Sequence, residues 1–579
     1  MSKLRRYLPI FEWLPGYGRE ELASDGLAGL IVAIMLVPQG MAYALLAGLP
    51  PEVGLYASIV PLVFYGVLGS SRALAVGPVA IVSLMVASTL GELHAGGSAG
   101  YLSGAILLAF LSGAILLGMG LARLGFLVNF LSHPVISGFS SAAALVIGFS
   151  QLKYLLGIDI PRTHLITETI GHAVSQIGQT NLVTFGIAAT SLTILLVFKT
   201  RLAGWLAALG VARGHAQVLA KAGPLVAVFL TTMAVWLLGL DQSAGVMIVA
   251  DIPSGLPPLA APGFDMALIQ ELFPAAALIA LVGFLESVSV AKSLASKRRQ
   301  KVDANQELIA LGAANIGASF TGGYPVAGGF GRSLVNFTAG AVTPLASIIT
   351  AGLIAITVLF LTPLIYFLPQ ATLAAIIVIA VFDLIDVKAL RDAWAYNRAD
   401  AASLMVTFAA VLSVGVELGI VFGAALSIAL YLWRTSRPHM AEVGRVGETE
   451  HFRNVLRHKV TTDPKVLMVR VDESLYFANT AYLEDALLAR VSERPEIEHL
   501  VLIMSAVNFI DASALESLER MIERLRNAGV TLHLAEVKGP VMDRLDRVSF
   551  LQELGKGRVF LSTHEASDAL SGGARIRAA

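Results

Sequence analysis

Apolar runs long enough to cross a lipid bilayer recur through about the first three quarters of this chain. That recurrence restricts the fold more than any other feature does. A spanning helix needs ~20 consecutive, mostly apolar residues. Within hydrocarbon no water satisfies backbone N–H and C=O groups, so each span must bond internally, as a helix does. Charge agrees: of 579 residues 56% are hydrophobic and only 14% charged, where soluble domains carry about 25% charged residues. The expected spans lie near 25–46, 53–68, 75–90, 101–122, 128–156, 182–198 and 216–239. A second series follows near 268–291, 305–320, 329–339, 341–361, 364–385, 401–415 and 417–434. That makes about fourteen segments, several too short to cross alone.

Basic residues mark cytoplasmic loops. They cluster at Lys3, Arg5, Arg6 and Arg19, at Arg72, at Arg123, at Lys199, Arg201, Arg213 and Lys221, at 292–301, at Lys388, Arg391 and Arg398, and at Arg434 and Arg437. Each cluster lies at the N-terminus or after an even-numbered segment. Lys153 and Arg162 are the exceptions. Both termini are therefore expected in the cytoplasm, with the chain multi-pass in the cell's inner (plasma) membrane. The N-terminus lacks a cleavable signal pattern, so residues 1–20 read as a basic arm and the first span as an uncleaved anchor. Residues 21–437 form the expected membrane domain.

One stretch inside the apolar region cannot be an ordinary span: Gly322-Gly323-Tyr324-Pro325-Val326-Ala327-Gly328-Gly329-Phe330-Gly331-Arg332-Ser333. It is too rich in glycine for a stable helix. Bare backbone at membrane depth must be buried in protein or line a wet cavity. A helix that begins there turns free N–H groups and the positive end of its dipole toward that cavity, which suits an anion. A similar break, Ala75-Val76-Gly77-Pro78-Val79, occurs earlier. Each break follows a polar residue in the preceding long helix by the same distance: Gln39 to Pro78 is 39 residues, and Glu286 to Pro325 is 39. Seven segments per half is an odd number, so the second half would insert inverted. Matched broken segments in two inverted halves mark a midplane binding site.

Several separated motifs resemble one family. Leu36-Val37-Pro38-Gln39-Gly40-Met41-Ala42-Tyr43-Ala44 is similar to the first-helix signature of the SulP anion permeases, also called solute-carrier family 26. Pro51-Glu52-Val53-Gly54-Leu55-Tyr56 and Val302-Asp303-Ala304-Asn305-Gln306-Glu307-Leu308 resemble further signatures of that family. The resemblance implies a polytopic α-helical membrane protein built as a seven-plus-seven inverted repeat, a core domain moving against a gate domain, usually as a homodimer. It implies that Gln39 and Tyr43 line the anion site. It also implies that Gly77, Pro78 and Val79 open the third helix opposite the tenth, which begins at Phe330, Gly331, Arg332 and Ser333. The family carries a Ser-Arg pair where this chain has Gly331-Arg332. The anion is then held either with Ser333 in place of that serine or by backbone N–H alone.

Physical reasoning gives each candidate a role. Arg332 adds positive potential, and Gln39 can donate to an oxyanion. Tyr43 offers an apolar face with a polar tip. Glu286 is an acid within an apolar span, a costly placement that reads as functional. It is expected to take up a coupling proton, removing negative charge beside the anion. Sodium coupling, with Glu286 and backbone carbonyls as ligands, is the competing reading. A static salt bridge between Glu286 and Arg332 is the structural alternative.

After Arg437-Pro438 the composition turns polar. Residues 438–463 read as a linker with extended pieces. Residues 464–579 alternate strands and helices, a small cytoplasmic α/β domain that resembles a STAS domain. Its Asn508-Phe509-Ile510-Asp511-Ala512-Ser513 resembles a loop phosphorylated in anti-sigma-factor antagonists. There Ser513 stands one place beyond the phosphorylated position, and Asp511 reads as a helix N-cap. This domain is expected to regulate transport, bind a cytoplasmic protein partner or stabilise a dimer.

Cysteine is absent, which excludes disulfides and thiolate chemistry. No nucleotide loop, metal cluster or catalytic triad stands out, so an enzyme, a cofactor or a metal is not expected. Equal counts of acidic and basic residues, 41 each, give no sign of nucleic-acid binding. The expected function is secondary transport of a small anion (sulfate, bicarbonate, a dicarboxylate or a halide) across the bilayer, with proton coupling. Sodium-coupled bicarbonate uptake and a non-transporting sensor acting through the STAS-like domain are the alternatives.

Overall fold

The computed structural model describes residues 8–93, 98–130, 132–161, 166–212, 216, 219–253, 255–259, 261–548 and 550–571. Residues 1–7 of the expected arm, Arg162, Arg213 and the last part of the soluble domain, 572–579, lie outside the described residues. The chain divides into two units, Met1–Ser427 and Ile428–Ala579.

The membrane unit opens with α1 (Arg19–Leu46), which starts ahead of the expected span. Its acidic first turn explains the extension. Glu21 Oε2 accepts the Gly18 N–H at 2.9 Å, and acids suit the positive end of the helix dipole. Next come α2 (Pro51–Tyr56), α3 (Val60–Leu68), β1 (Val76–Gly77), α4 (Ala80–Leu93), α5 (Ser98–Leu121), α6 (His133–Ser150), α7 (Leu182–Val197) and α8 (Gly223–Leu238). The second series is α9 (Met266–Lys297), α10 (Ala304–Phe320), β2 (Ala327–Gly328), α11 (Phe330–Thr338), α12 (Leu345–Ile356), α13 (Gln370–Phe382), α14 (Arg398–Val414) and α15 (Val416–Thr435). With α2 and α3 taken as one segment, the two series hold seven each. Among the described residues, eight helical segments are long and apolar enough to cross a bilayer.

The two series insert inverted, and their broken segments meet. β1 and β2 pair antiparallel, Val76 opposite Gly328 and Gly77 opposite Ala327. The helices that follow them are short: α4 has 14 residues and α11 has 9. At 1.5 Å per residue neither covers a hydrocarbon core of ~30 Å. Packing sorts the remaining helices into two groups. α10 lies against α5 and α3, α9 against α5, and α12 against α1 and α3, forming a core around the broken segments. α7 packs on α13 and α8, and α6 on α14 and α13, forming a gate.

Two buried carboxylates brace the core. Glu307 of α10 accepts from Ser70 N–H (2.8 Å), Ser70 Oγ (2.7 Å), Ser71 N–H (3.0 Å) and Tyr65 Oη (2.8 Å). Asp25 of α1 accepts from Val342 N–H (2.7 Å), Thr343 N–H (3.1 Å), Thr343 Oγ1 (2.6 Å) and Tyr17 Oη (3.2 Å). Glu307 thereby fixes the loop that leads into β1, and Asp25 the loop that leaves α11.

The soluble unit carries a six-stranded sheet in the order β4-β3-β5-β6-β7-β8. Its elements are β3 (Met440–Arg445), β4 (Phe452–Asn454), β5 (Val466–Val471), α16 (Thr480–Glu493), β6 (His499–Ile503), α17 (Ala512–Asn527), β7 (Thr531–Ala535), α18 (Gly539–Leu545), β8 (Val559–Phe560) and α19 (Thr563–Leu570). Within residues 438–463, expected as a linker with extended pieces, Met440–Arg445 and Phe452–Asn454 are strands of this sheet. β3 pairs antiparallel with both β4 and β5, and Ala441 and Val443 are buried with Val466 and Met468. The polar composition hid a strand whose buried face has few large residues. Leu475 makes a single bridge to Ile510, and a turn at 477–479 follows it.

Candidate functional site

The backbone around the broken segments is held by side chains from several helices. Asn315 of α10 accepts the Val326 N–H at 2.8 Å and donates to Val326 C=O at 3.0 Å. Ser287 of α9 accepts the Gly328 N–H at 2.7 Å. Gly329 N–H reaches Ala75 C=O at 3.2 Å. Each contact satisfies a backbone group that a continuous helix would have satisfied itself. With the ribbon fixed, α4 and α11 both begin at one cavity of about 490 Å³.

Within α11 the first bond is Ser333 N–H to Gly329 C=O, 3.0 Å, and in α4 it is Ser83 N–H to Val79 C=O, 3.0 Å. The N–H groups of the preceding three residues in each helix have no intrahelical acceptor. Arg332 lies between the two tips, only 3% exposed. Its Nη1 donates to Pro78 C=O at 2.6 Å, while Nε and Nη2 have no partner among the described residues. A buried guanidinium left with free donors is costly unless something fills them.

Gln39 and Tyr43 of α1 and Glu286 of α9 line the same cavity, as do Val79, Phe330 and Gly331. Gln39 Oε1 and Glu286 Oε2 are also without partners among the described residues. No ion pair therefore joins Glu286 to Arg332, and the static salt bridge is not formed. Gly77 and Pro78 stand behind the wall: Gly77 in the β-ribbon, with φ +149°, and Pro78 as the acceptor that orients Arg332.

Ser333 is turned into the backbone. It is fully buried, its hydroxyl donates to Gly329 C=O at 2.7 Å and accepts the Ala75 N–H at 2.9 Å. Its single proton is spent on the helix start. The wall at this point is backbone.

Sequence reasoning missed the far end of the cavity, where Lys199, Lys221 and Asp383 stand. Lys199 pairs with Asp383 at 2.6 Å from a π-helical turn, Phe198–Leu202. Lys221 donates to Thr338 Oγ1 at the end of α11. In the sequence Lys199 and Lys221 serve only as markers of a cytoplasmic loop. A larger groove, about 710 Å³, runs between α1, α8 and α12. Its lining is almost wholly apolar, which suits hydrocarbon and not an anion.

In the soluble unit Asp511 caps α17. Its Oδ1 accepts the Ala514 N–H at 2.8 Å and its Oδ2 the Phe477 N–H at 2.9 Å. Ser513 is exposed in the first turn of the same helix.

Two inverted halves, two helix tips aimed at a cavity that holds Gln39, Glu286 and Arg332, and an attached α/β unit define a broken-helix membrane carrier for an anion. The sulfate permease family profile matches residues 22–407 and the STAS domain profile residues 457–566. This chain belongs to the sulfate permease family; it is a multi-pass membrane anion transporter with a C-terminal STAS domain, and not an enzyme. It is 38% identical to the probable sulfate transporter 4.2 of Arabidopsis thaliana, over 96% of this chain and 82% of the relative. It is also 38% identical to the chloroplastic sulfate transporter 4.1 of the same plant, over 96% and 82%. The murine Solute Carrier 26 family member A9 anion transporter, solved in the inward-facing state, superposes with a TM-score of 0.89. That match has 26% identity over 98% of this chain and 94% of the other.

Proposed function

We propose that this protein carries sulfate together with a proton, by alternating access of the core against the gate. The observation that carries the reading is the buried Arg332 guanidinium, with two of its nitrogens unpartnered, between two helix tips on one cavity. A tetrahedral dianion can take donors from both tips and from Arg332 at once. Gln39, Tyr43, Val79, Phe330, Gly331 and Arg332 contact it, with Gly77 and Pro78 behind them. The names of the plant relatives favour sulfate among the anions considered.

Glu286 takes up the coupling proton. Ionised, it opposes a dianion in the same cavity; protonated, it permits one. No fixed partner on Glu286 Oε2 leaves it free to change charge. Residues 21–437 form the transport domain, placed in the cell's inner (plasma) membrane with both termini in the cytoplasm, as a homodimer. The STAS domain presents Asp511 and Ser513 on a regulatory surface for a cytoplasmic protein.

Labelled sulfate uptake into proteoliposomes tests this, with proton and sodium gradients imposed separately. An inward proton gradient is expected to drive accumulation, and Glu286→Gln to abolish the pH dependence. Uptake that follows sodium and ignores pH would replace the proton with sodium. Gln variants that remain fully pH-dependent would remove Glu286 from the mechanism.

A further inference from the structure

The last apolar helix, α15, ends at an aromatic and basic pair: the Arg437 guanidinium lies 4.4 Å from the centre of the Trp433 ring. Side chains of these two kinds gather at membrane–water interfaces. Only residues 436–439 separate α15 from β3, so Met440 is at most about 18 Å from Thr435. β4 then returns antiparallel to β3, with Arg445 opposite Phe452 and Val443 opposite Asn454. Val455 N–H still reaches Glu442 C=O at 3.1 Å. The turn that follows therefore stands beside the start of β3, the end of the strand that is tied to the bilayer.

That turn has a defined shape. Asn454 Oδ1 accepts the Leu456 N–H at 2.8 Å, and Asn454 C=O accepts the N–H groups of Arg457 and His458, each at 3.1 Å. Leu456 is held outward, 89% exposed, and Arg453, Arg457, His458 and Lys459 are exposed around it. Among the described residues none of these basic side chains pairs with an acid. Glu442 is already taken by Arg494, through two bonds of 2.8 Å, and Asp472 by Arg470 and His439. An exposed leucine ringed by cations suits the boundary of an anionic leaflet, where the apolar group enters and the cations meet phosphate. One such turn would hold a free protein only weakly. Tethered to a membrane-spanning helix, it needs little affinity of its own. We propose that the turn at 454–459 is a membrane-surface anchor: Leu456 enters the headgroup layer beside α15, and Arg453, Arg457 and Lys459 bind anionic lipid headgroups. The soluble unit is thereby fixed to the bilayer at a second point, whichever anion is carried.

The chain has no cysteine, so Leu456→Cys places a single polarity-sensitive fluorophore on the full-length protein. The labelled protein is reconstituted into phosphatidylcholine vesicles with or without phosphatidylglycerol, each containing a nitroxide-bearing lipid as quencher. With phosphatidylglycerol the label should emit to the blue and be quenched; in phosphatidylcholine alone it should report water. Arg457→Gln and Lys459→Gln should each shift the label from lipid toward water about fivefold, and high salt should act in the same direction. A label at Leu561→Cys, where the leucine is 93% exposed next to β8 at the opposite edge of the sheet, should report water throughout. A label at 456 that reports water in every vesicle would overturn the proposal. Equal quenching in both kinds of vesicle would also overturn it, because headgroup charge would then play no part. An apolar signal that the nitroxide lipid does not quench would assign Leu456 to a protein contact, a second copy of the chain or another partner, and sink the anchor. The substituted side chains are exposed, so the variants should unfold at the wild-type temperature; a lower one would overturn their assignment to a free surface.

Discussion

Arg332 shows how much one side chain can carry in this fold. Its position in the chain was readable, because an arginine at the end of a glycine-rich break inside an apolar region has few bland explanations. Its state was not readable. Only the tertiary structure leaves two of its nitrogens unpartnered while Pro78 C=O holds the third. Arg332→Gln is expected to raise the sulfate KM about 10- to 100-fold, the loss of one or two charge-assisted hydrogen bonds. Arg332→Lys should recover little, because lysine lacks the planar fork that Pro78 orients. Initial uptake rates against sulfate concentration measure both. In the soluble unit His533 makes a pH prediction. Burial, then His499, then Arg558 push its pKa down to about 4, and its Nδ1 accepts the Arg558 N–H at 3.1 Å. The unfolded chain titrates this ring near 6.5, so between pH 6.5 and 4 the unfolded state binds more protons. Stability of this unit is therefore complete above pH 6.5 and falls toward pH 4, by at most about 3 kcal/mol. Hydrogen exchange of β7 should accelerate over that window, and His533→Leu should flatten the change.

Among elements, the half-helices and their supports matter most. The breaks at 75–79 and 322–333 were visible as glycine and proline inside apolar runs, and their equal spacing suggested a repeat. Their antiparallel pairing was not visible, because a strand of two residues has no periodicity. Nor did the sequence single out Asn315 or Ser287 as the residues that satisfy the ribbon, although a mid-helix asparagine in an apolar span was a signal. The carboxylates Glu307 and Asp25 act on the same elements. Glu307→Gln replaces an acceptor-only group with one that carries two donors, facing four donors. About 3 kcal/mol should be lost, with the loop at 70–71 loosened and the unfolding temperature lowered. Glu307→Asp should recover only part, since the shorter arm cannot reach both Tyr65 and Ser71. Thermal unfolding in detergent distinguishes these.

For the whole molecule, the division into a membrane unit and a soluble unit was clear from charge content alone, but its boundary was not. β3 looked like linker, yet it covers the edge of β5. A soluble unit begun at residue 464 should expose that edge and self-associate, whereas one begun at 438 should remain monodisperse. Light scattering of the two fragments would settle the matter. The membrane unit is divided as well: core and gate each pack within themselves and meet where α13 and α8 lie against α1, and the cavity lies where α1 and α11 of the core face α7, α8 and α13 of the gate. Relative motion of the two groups would open or close that cavity without disturbing the β-ribbon, because the ribbon and its supports all belong to the core.

By itself the sequence determined that the chain spans a membrane many times, that two spans are broken, and that an arginine and a glutamate sit at those depths. Those features follow from hydrocarbon's intolerance of unpaired backbone and charge, which acts locally and so leaves a local mark. Which groups remain unpartnered, that Ser333 is occupied while Gly331 is bare, and where lysines gather at the cavity's far end were decided by tertiary structure alone. They depend on contacts between residues as much as 258 positions apart, and no local pattern encodes them.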